Sequence, residues 1–324
     1  MTAPEPRLQT RFEQVTETNT RSRGRRIIFV LIVVLSLLIL VLGGISTYVG
    51  WSLTHPQRKL VKGDPGQLGL SYQTINFPSR FDKLKLSGWY LPAPQAKAII
   101  IEAHGYNGNR CNDKPELPVA KALVEKGFSV LMFDFRDSGS SEGSLVSVGD
   151  FEQRDLLGAV DYAKELGYQK IGVIGYSMGA ATSAIVAAQE NDIQAIILDS
   201  PFADLKKYLE VNMPHWTGLP NFPFTPIIIE EIPLLTGINP ERVSPIKAME
   251  SLTQKPILFI AGDADTTIPL ENSKQLLEAV NNPKDELWIV HGAVHVGAYP
   301  VQPEQYLQKV TRFFNQSLVE VKVN

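Results

Sequence analysis

Ile27 to Val49 form an almost unbroken apolar run, and no charged side chain occurs between Arg26 and Arg58. A helix that crosses a bilayer needs about 20 such residues. Arg7, Arg11, Arg21, Arg23, Arg25 and Arg26 precede the run, against Arg58, Lys59 and Lys62 shortly after it. By the positive-inside rule this asymmetry predicts a cytoplasmic N-terminus and the bulk of the chain outside. A cleaved signal peptide is the competing reading. The apolar core is long for that, the leader is long, and no small-x-small site stands out between Gly43 and Trp51.

From about residue 70 the pattern changes to short β-rich runs bounded by Gly and Pro: Ser71 to Phe77, Leu84 to Leu91, Ala98 to Ala103, Phe128 to Phe135, Ile171 to Gly175, Ala195 to Leu198, Pro256 to Ala261 and Glu286 to Val290. The last six are nearly continuous apolar runs, as in strands buried on both faces of a parallel sheet. Helical stretches alternate with them at Leu117 to Lys126, Asp150 to Leu166, Met178 to Gln189, Leu270 to Val280 and Glu304 to Leu318. The alternation predicts an α/β fold, a mostly parallel eight-stranded sheet with helices on both faces and an antiparallel pair leading in. Leu205 to Leu252 breaks it. Seven of the 22 prolines fall between Pro214 and Pro245, so this segment cannot be one long helix and reads as an inserted cap. The chain thus divides into an Arg-rich cytoplasmic tail (1–26), a transmembrane signal anchor (27–49), a linker (50–70) and an α/β domain (71–324) with a cap insertion (205–252).

Composition narrows the function. Hydrophobic residues at 44% and charged residues at 20% suit a globular chain, and 31 basic against 34 acidic residues give no attraction to phosphate backbones, so nucleic acid is excluded as a partner. The single cysteine, Cys111, rules out an internal disulfide or a Cys-cluster metal site. The five histidines share no close metal-ligand spacing on a predicted helix. No Cys- or His-based metal site is expected.

The chemistry is in Gly175-Tyr176-Ser177-Met178-Gly179, a G-x-S-x-G that follows the apolar Ile171 to Ile174 and opens the Ala-rich stretch from Ala180. That is the strand-turn-helix context of a nucleophile elbow. The serine sits on a tight turn, and side chains two residues either side would collide with strand and helix, which glycine avoids. A serine hydroxyl needs a base, and the base needs an orienting carboxylate, in the order serine, acid, histidine. His295, in the loop after the last strand, is the favoured base over His291, which ends that strand. Asp265, just beyond the strand Pro256 to Ala261, is the favoured acid. Asp263 caps or orients the same loop, and Asp199 is the alternative. The backbone N–H groups of Tyr106 and Met178 are the expected oxyanion hole, with His104 holding the Tyr106 loop by hydrogen bonds.

These residues resemble the serine-dependent α/β-hydrolases, and within them a bacterial membrane-anchored branch of the serine aminopeptidase-like and monoglyceride lipase-like group. The resemblance runs from Ser71 to Phe314. It rests on Gly88-Trp89-Tyr90, His104-Gly105, Asp134-Phe135-Arg136 with Gly139-Ser140-Ser141-Glu142-Gly143, Gly175 to Gly179, Gly262 to Pro269, and His295. In the family pattern D-x-R-G-x-G-x-S-x-G, Asp137 stands where the first glycine is usual. The resemblance implies an α/β-hydrolase fold and hydrolysis of an ester, thioester or amide through an acyl-serine, without a cofactor.

Asp263 to Thr267 also spells D-x-D-x-T, the opening motif of haloacid dehalogenase-like phosphatases, but only 57 residues follow it, too few for the rest of that fold. The expected function is therefore a single-pass cell-membrane serine hydrolase acting on an ester or thioester of a small or medium apolar acyl group. Its partners would be that acyl substrate and, through 27–49, the lipid bilayer. A serine aminopeptidase or amidase is the alternative, as is a non-catalytic binding protein on the same fold. The cap carries Trp216, Phe222, Phe224, Ile227, Ile228, Ile229, Leu234 and Leu235. These are expected to hang over Ser177 and select the acyl group.

Overall fold

The structure is a computed structural model that describes residues 9–111 and 115–320, with side chains described from residue 23. Residues 1–8 of the expected tail, Arg7 included, and the side chains of Arg11 and Arg21 lie outside the described residues. Helix α1 runs from Gln9 to Thr54. At 1.5 Å per residue it is about 69 Å long. It continues past Val49 because nothing breaks it before Pro56, which disfavours helix at the residue preceding it. Its side chains from Ile27 to Val41 are exposed, whereas Ser46 and Thr54 are buried. The segment from Arg23 to Thr54 is long and apolar enough to cross a membrane.

The domain follows with strands and helices in alternation: β1 (Gln73–Pro78), β2 (Lys85–Leu91), β3 (Ile99–Ala103), α2 (Glu116–Glu125), β4 (Ser129–Phe133), α3 (Glu152–Glu165), β5 (Ile171–Tyr176), α4 (Met178–Gln189) and β6 (Ile193–Asp199). The cap region holds α5 (Leu205–Thr217), α6 (Asn221–Thr236) and α7 (Pro245–Met249), and the chain closes with β7 (Ile257–Gly262), α8 (Glu271–Val280), β8 (Glu286–Val290), α9 (Ala298–Val301) and α10 (Pro303–Phe314). The eight strands form one sheet in the order β1-β2-β4-β3-β5-β6-β7-β8. β2 is antiparallel to β1 and to β4, and every later pairing is parallel. This is the α/β-hydrolase fold.

Two apolar layers flank the sheet. Leu156, Val160, Ala180, Ala184 and Leu276, from α3, α4 and α8, pack on one face. Val119, Leu123, Tyr306, Val310 and Phe314, from α2 and α10, pack on the other. The chain places β4 and β5 on opposite sides of β3, so the loops leaving β3 and β5 diverge there and open a crevice at the carboxyl ends of the strands.

Three prolines of the cap are accommodated in two ways. Phe222 has non-helical dihedrals, so regular helix in α6 starts at Pro223, and Pro223 and Pro226 fall in its first turn, where N–H groups have no intrahelical partner. Pro214 lies inside α5 and cannot bond the carbonyl of Glu210; the Asn221 side-chain amide donates to that carbonyl instead, at 3.0 Å. Past Ile238 the insertion rejoins the core, since Met249 and Leu252 are fully buried with the sheet.

Candidate active site

Ser177 joins β5 to α4 with φ 55° and ψ −116°, a backbone conformation that L side chains rarely adopt. Its N–H donates to the Asp199 carbonyl at 2.8 Å, which fixes the turn against β6. The flanking glycines are sterically required. A Cβ at Gly175 would stand 2.4 Å from the Gly179 carbonyl oxygen, and one at Gly179 would stand 2.0 Å from that of Ala103 on β3.

Asp265 and His295 come from the loops after β7 and β8, and those loops are tied together. The Ala264 N–H donates to the Ala293 carbonyl at 3.1 Å, and a Cβ at Gly262 would collide with the same carbonyl at 2.0 Å. Asp265 is buried; its Oδ1 accepts the N–H groups of Thr267 at 2.9 Å and Ile268 at 2.8 Å. Its Oδ2 lies 2.7 Å from His295 Nδ1, and His295 Nε2 lies 2.8 Å from Ser177 Oγ. A carboxylate only accepts, so the imidazole proton sits on Nδ1 and Nε2 is left to accept from the serine hydroxyl. The Val296 N–H, donating to Ser200 Oγ at 3.1 Å, holds the histidine loop over the elbow.

The alternatives are engaged elsewhere. His291 is almost fully exposed and pairs with Asp263 at 2.6 Å, while Asp263 also accepts the Gly292 N–H at 2.7 Å. The Asp199 carboxylate accepts from Tyr306 Oη at 2.8 Å and from Ser200 Oγ at 2.9 Å.

The loop after β3 lies across the serine: a Cβ at Gly105 would be 3.4 Å from Ser177 Cβ. Tyr106, which follows Gly105, lines the same cavity as Ser177 and Met178, and the Met178 N–H opens α4 without an intrahelical partner. His104 is buried and locks that loop. Its Nδ1 donates to the Gly105 carbonyl at 2.8 Å, and its Nε2 accepts the Phe135 N–H at 2.9 Å. Burial depresses its pKa, so it is a neutral strut. Burial also pushes the Tyr106 phenol up to about 12.

Above Ser177 is a cavity of about 110 Å³ with Ser177 and Met178 in its wall. The cap contributes Leu205, Tyr208, Leu209, Met213, Trp216, Ile228, Ile229 and Ile232. Sequence reasoning also placed Phe222, Leu234 and Leu235 over the serine, but they are exposed on the outside, and Phe224 and Ile227 do not line the cavity. Helical phase accounts for Leu234, since Thr225, Ile228 and Ile232 form the buried face of α6 and Leu234 falls off it, whereas Phe222 precedes the regular helix. Sequence reasoning missed Tyr208. Its hydroxyl accepts from Trp216 Nε1 and donates to the Thr267 carbonyl, both at 2.9 Å, linking the cap to the loop that carries Asp265.

A family model for the alpha/beta hydrolase fold matches residues 98–218. The YqkD protein of Bacillus subtilis is 29% identical over 234 residues, covering 71% of this chain and 75% of its own. The YfhR protein of Escherichia coli K12 is 28% identical over 253 residues, covering 76% and 79%. Among solved structures, an esterase of Pyrococcus furiosus superposes with a TM-score of 0.69 at 29% identity, covering 82% of this chain and 98% of the esterase. These matches and the sheet topology give the chain the α/β-hydrolase fold.

Proposed function

We propose that the protein is a membrane-anchored serine hydrolase that cleaves an ester or thioester of a small or medium apolar acyl group. The observation that carries this reading is the continuous hydrogen-bonded line Ser177–His295–Asp265 at the base of an apolar cavity. The esterase among the structural relatives supports the ester reading.

In the proposed mechanism Ser177 Oγ attacks the acyl carbonyl while His295 Nε2 takes its proton. Asp265 keeps the imidazole in the required tautomer and balances the imidazolium. The N–H groups of Tyr106 and Met178 donate to the developing oxyanion, and the partial positive charge at the start of α4 adds to them. Collapse expels the alcohol or thiol with the proton from His295, and water activated by the same histidine releases the acid. An aminopeptidase needs an anion to receive the substrate ammonium. The described residues lining the cavity include no Asp or Glu, which favours an uncharged acyl group.

The apolar helix and the arginine excess before it support a single-pass anchor with the N-terminus cytoplasmic and the catalytic domain outside. A fluorophosphonate probe tests the chemistry directly. Labelling at Ser177, abolished in Ser177→Ala, is the expected result; a folded wild-type protein that neither reacts nor turns over p-nitrophenyl esters is a binding protein on this fold.

A further inference from the structure

The part of α1 nearest the domain differs from the rest. Ile27 to Val41 are exposed, yet one face of the final turn is covered: Gly50 and Thr54 are buried, Leu53 is partly buried, and all three line the cavity that holds Ser177. Ile228 and Ile232 of α6 line the same cavity and pack directly against Gly50. Gly50 permits that approach, because a Cβ there would meet the Ile232 side chain at 2.5 Å and that of Ile228 at 3.2 Å.

The turn is fixed in place from several directions. Tyr106 Oη donates to the Leu53 carbonyl at 2.6 Å and the Val146 N–H donates to that of Thr54 at 2.8 Å. One turn back, Thr47 Oγ1 donates to Glu231 on α6 at 2.7 Å. A tether that only held the domain near a surface would need none of these contacts.

We propose that Gly50 and Leu53 are specificity-determining residues: the end of the anchor helix is one wall of the acyl pocket and sets the chain length it accepts. This rests on the acyl-hydrolase reading above. Bulk added at Gly50 displaces the Ile228 and Ile232 side chains, which line the pocket, and shortens it. Bulk removed at Leu53 deepens it. The two substitutions therefore act in opposite directions, which a general loss of stability does not.

The test uses the full chain in lipid nanodiscs and reads the ratio of kcat/KM for p-nitrophenyl octanoate to that for p-nitrophenyl acetate. One methylene in an apolar pocket is worth roughly 10-fold or more in discrimination. Gly50→Val is expected to lower the ratio by about 10-fold or more, and Leu53→Ala to raise it, with Leu38→Ala, on the exposed part of α1, matching wild type. If Gly50→Val opens α1 from α6 and fails to fold, Leu53→Ala alone carries the test. Ratios within about twofold of wild type for both pocket variants, with esters still turned over, overturn the proposal and leave the hydrolase reading standing. A wild-type chain with no turnover and no fluorophosphonate labelling removes the hydrolase reading, and this inference with it.

Discussion

The Arg58 guanidinium, just beyond α1, donates through Nε to the Asp137 carboxylate at 2.8 Å and through its two terminal nitrogens to the carbonyls of Ser141 and Gly143, each at 2.6 Å. Asp137 has φ 53° and stands at the position where the family pattern has glycine. The departure thus exchanges an easy left-handed turn for a docking point. Asn109 adds to it by donating to the Lys59 carbonyl at 3.1 Å, so the stretch after the anchor lies on the domain surface.

Arg58→Ala is accordingly expected to destabilise the docked segment by about 1 to 2 kcal/mol, the range for a partly buried charge with several hydrogen bonds. Limited trypsinolysis should then cut faster after Lys59 and Lys62, with the α/β domain itself left intact. Asp137→Gly keeps both carbonyl acceptors and relieves the backbone, so its effect should be smaller.

For the proposed triad, Ser177→Ala and His295→Ala should each lower kcat by at least about 10³-fold without unfolding the protein. Asp265→Asn should lose less, since the carboxylate orients and does not attack. His291→Ala should retain wild-type turnover. Circular dichroism alongside ester hydrolysis checks all four.

Two buried groups should shape stability against pH in opposite senses. Burial lowers the pKa of His104 from its ordinary 6.5, so the unfolded chain binds more protons and this contribution is lost as pH falls below about 6.5. Burial, with Glu116 nearby, raises Glu102 well above its ordinary 4.5, so the native state binds more protons and stability falls as pH rises past that value. Neither Glu102 carboxyl oxygen has a hydrogen-bond partner among the described residues. Glu102→Gln should therefore raise Tm at pH 8 by at least about 2 °C. The gain should vanish near pH 4; a Tm difference independent of pH would assign the effect to packing.

Cap substitutions should separate pocket from surface. Trp216 lines the cavity, and its ring meets that of Tyr106 edge-on at 5.8 Å between centroids. Trp216→Ala should shift acyl chain-length preference by several-fold. Leu234→Ala, on an exposed site, should leave the chain-length profile as it is.

Topology is checked by protease added to right-side-out vesicles and by carbonate extraction. The domain should be digested from outside while the helix stays with the membrane. A protein released by carbonate, or shielded until the vesicles are opened, would remove the proposed anchor or its orientation.

Much of this was legible in the sequence because it depends on local order. Ser177 is flagged by two glycines and a strand-helix boundary, and Asp265 and His295 by their places just beyond strands. What escaped depends on contacts between distant segments. Proline-broken text gives no helical phase, so Leu234 and Ile228 read alike although one faces solvent and the other the cavity. Gly50 and Leu53 continue an apolar run and carry no mark that distinguishes a pocket wall from a lipid-facing turn. The reason for Asp137 lies 79 residues away, at Arg58.

The uninterrupted passage of α1 into the domain has a kinetic consequence. With Ile27 to Val49 in the bilayer, Leu53 stands only about 6 Å further along the axis at 1.5 Å per residue, and no hinge lies between them. So anchored, the proposed hydrolase would not swing through the bulk solution as it would on a loose leash; its mouth would work at one height, sampling substrate in two dimensions. For an ester that partitions into that leaflet, the governing concentration is its mole fraction in the surface. Diluting it with inert lipid would then slow turnover even when the total amount per volume is unchanged.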